Sequence, residues 1–310
     1  MPDVSPRLIH HRDPDQLTRR VFEELSRHRL AWPDHRAFVI VPETIKADME
    51  RRYITSQQAG GLMMAEILSF RRLATRLFNE SGRQAARVIS RAGKAVLAQR
   101  ALLDSALGFR RFNRLAGKPR YAAELVSVLG DFHRYGITAA DLREAENEKG
   151  DGGWGRTRAD KFHDFALLKE TLDQEMQERK LQDPDQELGS LAELLNAQPL
   201  SQRLGFLGRT HVWVLGFGNS RDFTSQEKKV LEALSNVVAS LTIAVAYDPS
   251  CEDQLAFGHG RETLLSLNRS FPGSKLEALP AGKTSPEPEY YFIRAIDRHE
   301  EVRYAAGEIR

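Results

Sequence analysis

Apolar positions change their period three times along the chain. In the first stretch, short runs of consecutive apolar residues alternate with segments of helical spacing. Leu8 to His10 is a brief apolar start, and Asp13 to Arg29 follows with Leu17, Val21, Phe22 and Leu25 on one helical face. Ala37 to Val41 (AFVIV) predicts a buried strand that Pro42 stops. Thr44 predicts a cap for a helix reaching about Tyr53. Gly60-Gly61 breaks the chain, Ala65 to Leu68 (AEIL) predicts a third strand, and Ser69 caps a helix carrying Leu73, Leu77 and Phe78. The second stretch, from Ser90 to about Leu195, is almost wholly of helical period. Its candidate helices are 91–106, 120–135, 138–147, 159–180 and 185–196. Within it, Lys149 to Arg158 (KGDGGWGRTR) carries four glycines in ten residues and predicts a mobile loop. The third stretch returns to strands. Thr210 to Leu215 ends at Gly216-Phe217-Gly218, and Thr224 to Asn236 is a helix with Phe223 and Leu231 on its buried side. Leu241 to Tyr247 is a strand closed by Asp248-Pro249, Gly260 to Phe271 a helix, and Tyr290 to Ala295 a last strand. Arg298 to Arg310 predicts a charged helix that stops in mid-pattern, as expected of a piece of a longer protein.

Strand–helix alternation predicts an α/β fold with a parallel sheet and covering helices, and the helical block predicts a subdomain inserted between two strands. The expected division is 1–89 for the first part of the α/β core, 90–200 for the insertion, and 201–310 for a second part of the core, truncated at its C-terminal end.

Composition narrows the classes. Of 310 residues, 41% are apolar and 28% charged, an ordinary globular mixture. No apolar run approaches the roughly 18 residues of a membrane helix, and Met1 to Arg12 lacks the apolar core of a secretory signal. Cys251 is the single cysteine, which excludes an internal disulfide and a cysteine-held zinc or iron–sulfur site within this sequence. A reducing, cytoplasmic setting is the expectation. A net charge of +2 does not argue for nucleic acid. Its distribution says more: Arg71, Arg72, Arg76, Arg83, Arg87, Arg91, Lys94 and Arg100 crowd one stretch, with Glu80 the one acid between Phe70 and Gln99. Both a solvated helix face and a cationic track fit that pattern.

Candidate chemistry is sparse. A phosphate-binding loop needs glycines to wrap the anion, a Lys for the phosphates and a Ser or Thr for magnesium. The first strand-to-helix turn, His10-His11-Arg12-Asp13-Pro14-Asp15, has no Gly and no Lys, loses a donor at Pro14, and carries two acids. His10 and His11 are adjacent on a strand and point to opposite faces, which argues against a shared metal. Gly93-Lys94 and Gly260 to Thr263 (GRET) lack full phosphate-loop spacing, and Gly216/Gly218 lacks the third glycine of a dinucleotide fingerprint. Gly-x-Ser-x-Gly is absent. Asp183/Asp185 and Glu300/Glu301 read as caps and surface charge, and His133, within Asp131-Phe132-His133-Arg134, as a buried or paired histidine. No catalytic, cofactor-binding or metal residue is assigned.

Six stretches resemble, in order, segments of the AddB/RexB-type subunits of bacterial helicase–nucleases. They are VIVPETIKADME (39–50), MAEILSFRRLATRLF (64–78), AELVSVLGDFHRYGITAADL (123–142), KFHDFALL (161–168), WVLGFGNSRDFTSQEKKVL (213–231) and AIDRHEEVRYAAGEI (295–309). Ser-Phe-x-Arg-Leu and Gly-Phe…Phe-Thr-x-Gln-Glu are the most specific. The resemblance implies a P-loop-NTPase-like, superfamily 1 helicase-like core with an inserted helical subdomain. It implies a non-motor, DNA-binding region of a complex that processes double-strand DNA breaks for recombinational repair. The implied partners are single-stranded or unwinding double-stranded DNA and an AddA/RexA-type motor subunit. The family's nuclease domain, with its iron–sulfur cluster and magnesium, lies far C-terminal of these segments, so no cofactor is expected in this sequence and it is not expected to be an enzyme by itself. Carried over by position, the candidate DNA contacts are Thr44, Lys46, Phe70, Arg72, Thr75 and Phe217: the cations for phosphates, the rings for stacking on bases. The family often has Gln at the position of Thr44 and Trp at that of Thr75, which puts sequence-specific reading in doubt. Two other readings stay open: a purely structural docking module for the motor subunit, and a nucleotide hydrolase with an atypical phosphate loop.

Overall fold

Strands buried on both faces need continuous apolar runs, and such runs supply the sheet. A computed structural model describes residues 5–56, 65–82, 87–147, 153–218, 222–250, 254–280 and 293–308. In chain order, β1 (Arg7–His11), α1 (Pro14–Ala31), β2 (Arg36–Ile40), a 3-10 turn (Glu43–Ile45), α2 (Lys46–Ser56), β3 (Ala65–Leu68) and α3 (Phe70–Ser81) form the first part. The helical block holds β4 (Arg87–Val88), α4 (Arg91–Leu103), α5 (Pro119–Tyr135), α6 (Ala139–Asn147), α7 (Gly153–Glu178) and β5 (Leu181–Gln182). The chain then returns through α8 (Glu187–Asn196), β6 (Thr210–Phe217), α9 (Ser225–Ser235), β7 (Ser240–Ala246), α10 (Gln254–Ser270) and β8 (Lys275–Ala278).

Six strands make one sheet in the order β3-β2-β6-β7-β1-β8, parallel at every pairing, as the alternation predicts. On one face Leu17, Val21 and Leu25 of α1 and Met49 and Tyr53 of α2 cover Ile9, Val39, Ile67 and Leu215. On the other, α3, α8, α9 and α10 cover Leu8, Phe38, Ile40, Val212 and Ile243. Each fully buried aliphatic side chain contributes about 1.5–3 kcal/mol. The helical block has its own core, with Leu102, Leu125, Leu129, Leu168 and Leu172 at its centre. Asp164 of α7 is buried there and accepts the backbone N–H groups of Arg110, Arg111 and Phe112 at 2.7–2.9 Å, which pins the connection between α4 and α5.

Several expectations shift. The helix at 187–196 falls inside the stretch expected to be the insertion, yet Leu191, Ala192 and Leu195 pack into the sheet's core. Half of the expected loop at 149–158 is helical, because α7 already begins at Gly153; residues 148–152 lie outside the described residues. Strand β8 and the two-residue pair β4–β5 have no counterpart in the sequence reading. The expected strand at 290–295 begins outside the described residues, and Ile293 to Ala295 have no regular structure.

Residues 280–310 form a separate unit. Its described part contains α11 (Arg298–Glu308), whose side chains are all exposed. Among the described residues no helix is long and apolar enough to cross a membrane.

Candidate nucleic-acid interface

In open parallel sheets, ligands sit beyond the carboxyl ends of the strands. Strands β3, β2 and β6 are neighbours, so the segments that follow them meet at one edge. Val41 N–H still pairs with Leu68 O at 2.9 Å before Pro42 ends the ladder. Gly216 lets β6 run close to that turn. Its φ is +85°, and a Cβ there would stand 2.6 Å from Ile45 Cδ1. The six candidate residues are thereby drawn to the same carboxyl edge. Thr44 is exposed on the 3-10 turn. Lys46 opens α2 and pairs with Glu50 at 2.5 Å. Ser69 caps α3 by accepting Arg72 N–H at 3.4 Å, and its hydroxyl donates to Glu43. Arg72 is exposed and its Nε donates to Glu43 Oε1 at 3.0 Å. Thr75 is exposed on the next turn of α3, its hydroxyl donating to Arg71 O at 3.1 Å.

The two rings do not serve as expected. Phe70 is 3% and Phe217 2% exposed. They pack edge-on at 5.5 Å, and Phe217 stacks on Phe223 at 4.6 Å. At a strand end and a helix start, an aromatic can face the loop or the core. Here α3 and α9 close over both, so neither presents a face to a base, and the stacking role is corrected to a core role.

The basic stretch is neutralised from distant parts of the chain. Arg71 lies 3.5 Å from Glu187, Arg72 2.9 Å from Glu43, Arg76 2.9 Å from Glu80, and Arg100 4.0 Å from Glu175. Hydrogen bonds from Arg72 and Ser69 hold the Glu43 carboxyl below its usual range. Burial pushes Glu187 up, with Arg71 opposing. A groove of about 910 Å³ runs from Arg71, Thr75 and Asn79 of α3 to Lys180, Gln182 and Gln186 beside the helical block.

At the other candidate position, Arg12 and Asp13 alone separate β1 from α1. His11 Nδ1 accepts Asp13 N–H at 3.0 Å, and the Asp13 carboxylate accepts Asp15 N–H at 2.8 Å. A side-chain carboxylate therefore sits where a phosphate would meet the helix N-terminus.

The sequence reading missed a charged cluster inside the protein. Lys94, 1% exposed, donates to Asp183 at 2.6 Å and to Asp185 at 3.3 Å. His133 Nδ1 lies 3.2 Å from Asp183, and Lys169 donates to His133 Nε2 at 2.5 Å. Burial pushes Asp183 up, but its contacts with His133 and Lys94 prevail and hold it well below the usual carboxylate range. Asp183 does cap a turn, accepting Asp185 N–H at 3.0 Å, yet it is not surface charge. Gln226 ties this region to the sheet, its Nε2 donating to His133 O at 2.9 Å and to Asp185 O at 3.0 Å. Thr224 and Glu227, on either side of Ser225-Gln226, form a reciprocal cap at the start of α9.

A mostly parallel α/β core with an inserted helical block belongs to the class of P-loop-like α/β folds. The family described as ADDB, N-terminal matches residues 16–285, and the chain belongs to it. It is 33% identical over 211 residues to an AddB-type ATP-dependent helicase/deoxyribonuclease subunit of Desulfitobacterium hafniense, covering 68% of this chain and 16% of that protein. A protein of the same description from Heliobacterium modesticaldum is 32% identical over 307 residues, covering 87% and 24%. The chain thus spans a quarter or less of these relatives.

Proposed function

We propose that this chain is the DNA-guiding, non-motor, helicase-like region of an AddB/RexB-type subunit in a cytoplasmic ATP-dependent helicase–nuclease that processes double-strand breaks. In this reading Thr44, Lys46, Arg72 and Thr75 contact the phosphates of an unwound strand, which continues into the groove beside α3, and an AddA/RexA-type subunit supplies the motor. The iron–sulfur cluster and magnesium belong to the nuclease region of the longer protein. What carries the reading is the convergence of those four polar side chains on one carboxyl edge in a chain of this family. The carboxylate-capped turn after β1 supports a non-motor role. Fluorescence anisotropy with single-stranded DNA across a salt series tests it. Wild type should weaken linearly in log–log form, and R72A should bind more weakly with a slope smaller by about one counterion. Equal affinity and slope for the two proteins would remove the site.

The buried rings and the paired arginines favour a second reading, a docking module that assembles with the motor subunit while DNA is held elsewhere. Normal assembly with no DNA crosslink to residues 44–76 is its signature.

A further inference from the structure

At the opposite edge of the sheet, where the strands begin, three histidines from separate segments meet. His28 sits in the last turn of α1, His35 just before β2, and His211 near the start of β6. One ring nitrogen from each lies within 4.8 Å of the others. We propose that His28, His35 and His211 form a binding site for a divalent transition-metal ion of the zinc class.

The geometry is close to what such an ion demands. Zinc–nitrogen bonds of about 2.0–2.1 Å at tetrahedral angles place neighbouring nitrogens about 3.4 Å apart. His35 Nδ1 and His211 Nε2 are 3.5 Å apart. His211 Nδ1 lies 2.8 Å from Ser240 Oγ. Donation to that hydroxyl puts the proton on Nδ1 and leaves the Nε2 lone pair facing the cluster, the usual outer contact of a ligating imidazole. A hydrogen bond between His35 and His211 could account for two of the rings, but not for the third. His28 is 8% exposed, and neither of its ring nitrogens has a hydrogen-bond partner. Buried polar atoms are rarely left so. An ion would satisfy one of them. Trp213 packs edge-on against His28 at 5.7 Å and Trp32 stacks on His35 at 5.1 Å, a largely apolar wall that strengthens coordination. His35 and His211 are only partly buried, so the fourth position opens toward solvent and suits a water molecule. Burial, with the neighbouring histidines, also keeps His211 and His28 neutral near pH 7, the form that coordinates.

The test uses the tag-free chain, stripped with EDTA and titrated with ZnCl2 or CoCl2 near neutral pH. Wild type should take up one ion per chain. Cobalt should give the intense visible bands of a four-coordinate site and quench tryptophan fluorescence. Saturating zinc should raise Tm by about 5 °C. H35A changes a partly exposed ring in a turn and should keep the far-UV circular dichroism of wild type while losing the ion. S240A should weaken binding about tenfold without changing stoichiometry. If H28Q and H35A, both folded, bind zinc as wild type does, or if wild type shows no visible cobalt bands, the site does not exist. The DNA reading is untouched by either result.

Discussion

Replacing Lys94 by Met isolates the energetics of the charged cluster. The ammonium is 1% exposed and serves two carboxylates, Asp183 at 2.6 Å and Asp185 at 3.3 Å. Methionine keeps most of the volume and the apolar stem, so little of the effect comes from a cavity. What changes is that Asp183, itself buried, loses its nearest cation. Removing one partner of a buried pair costs about 3–5 kcal/mol. Asp183 retains His133 at 3.2 Å and the N–H of Asp185 at 3.0 Å, which places K94M toward the lower end, about 3 kcal/mol. Against a total stability of about 5–15 kcal/mol that is a large fraction. In urea unfolding, with a slope near 3 kcal/mol/M, the midpoint should fall by about 1 M. The double variant K94M/D183N removes the stranded charge and should recover at least about 1 kcal/mol. A K94M midpoint within experimental error of wild type, or a double variant no more stable than K94M, would refute the reasoning.

The same cluster sets an acid limb. The folded pKa of Asp183 is held below its unfolded value of about 3.9, so its contribution is complete at neutral pH and is lost as pH falls below about 4. D183N should therefore lose stability less steeply than wild type between about pH 4 and pH 2, measured by chemical denaturation at each pH. Q226A strands two buried carbonyls, His133 O and Asp185 O, and should cost about 2 kcal/mol while increasing hydrogen exchange at the contact between α5 and α9. E43Q frees Arg72 from its carboxylate and should tighten single-stranded DNA binding with a steeper salt dependence, read by anisotropy. Unchanged affinity would mean that Arg72 meets no phosphate.

The sheet was legible because its inner strands are unbroken apolar runs: AFVIV, AEIL, THVWVL and LTIAVA each become a strand within a residue or two. Strand β8 was not, because Lys275, Leu276 and Ala278 are exposed at an edge and leave no apolar pattern. Phe70 and Phe217 were placed at the right edge but given the wrong orientation, since the sequence marks a strand end and not which way its ring turns. Lys94 and Asp183 are 89 positions apart, and His28 and His211 lie 183 apart, so local spacing carries no trace of either meeting. Three histidines near predicted strand starts were the one available signal.

The Phe-Thr-x-Gln-Glu signature carries a lesson for reading relatives. Phe223 fills the core, Thr224 and Glu227 close the first turn of α9, and Gln226 clips the helical block to the sheet. Every named letter is accounted for by assembly of the scaffold, so a cousin that had abandoned DNA altogether would still have reason to spell it. Presence of the motif reports how the polypeptide is put together; whether a strand of nucleic acid is handled must be judged from Lys46, Arg72 and their counter-ions instead.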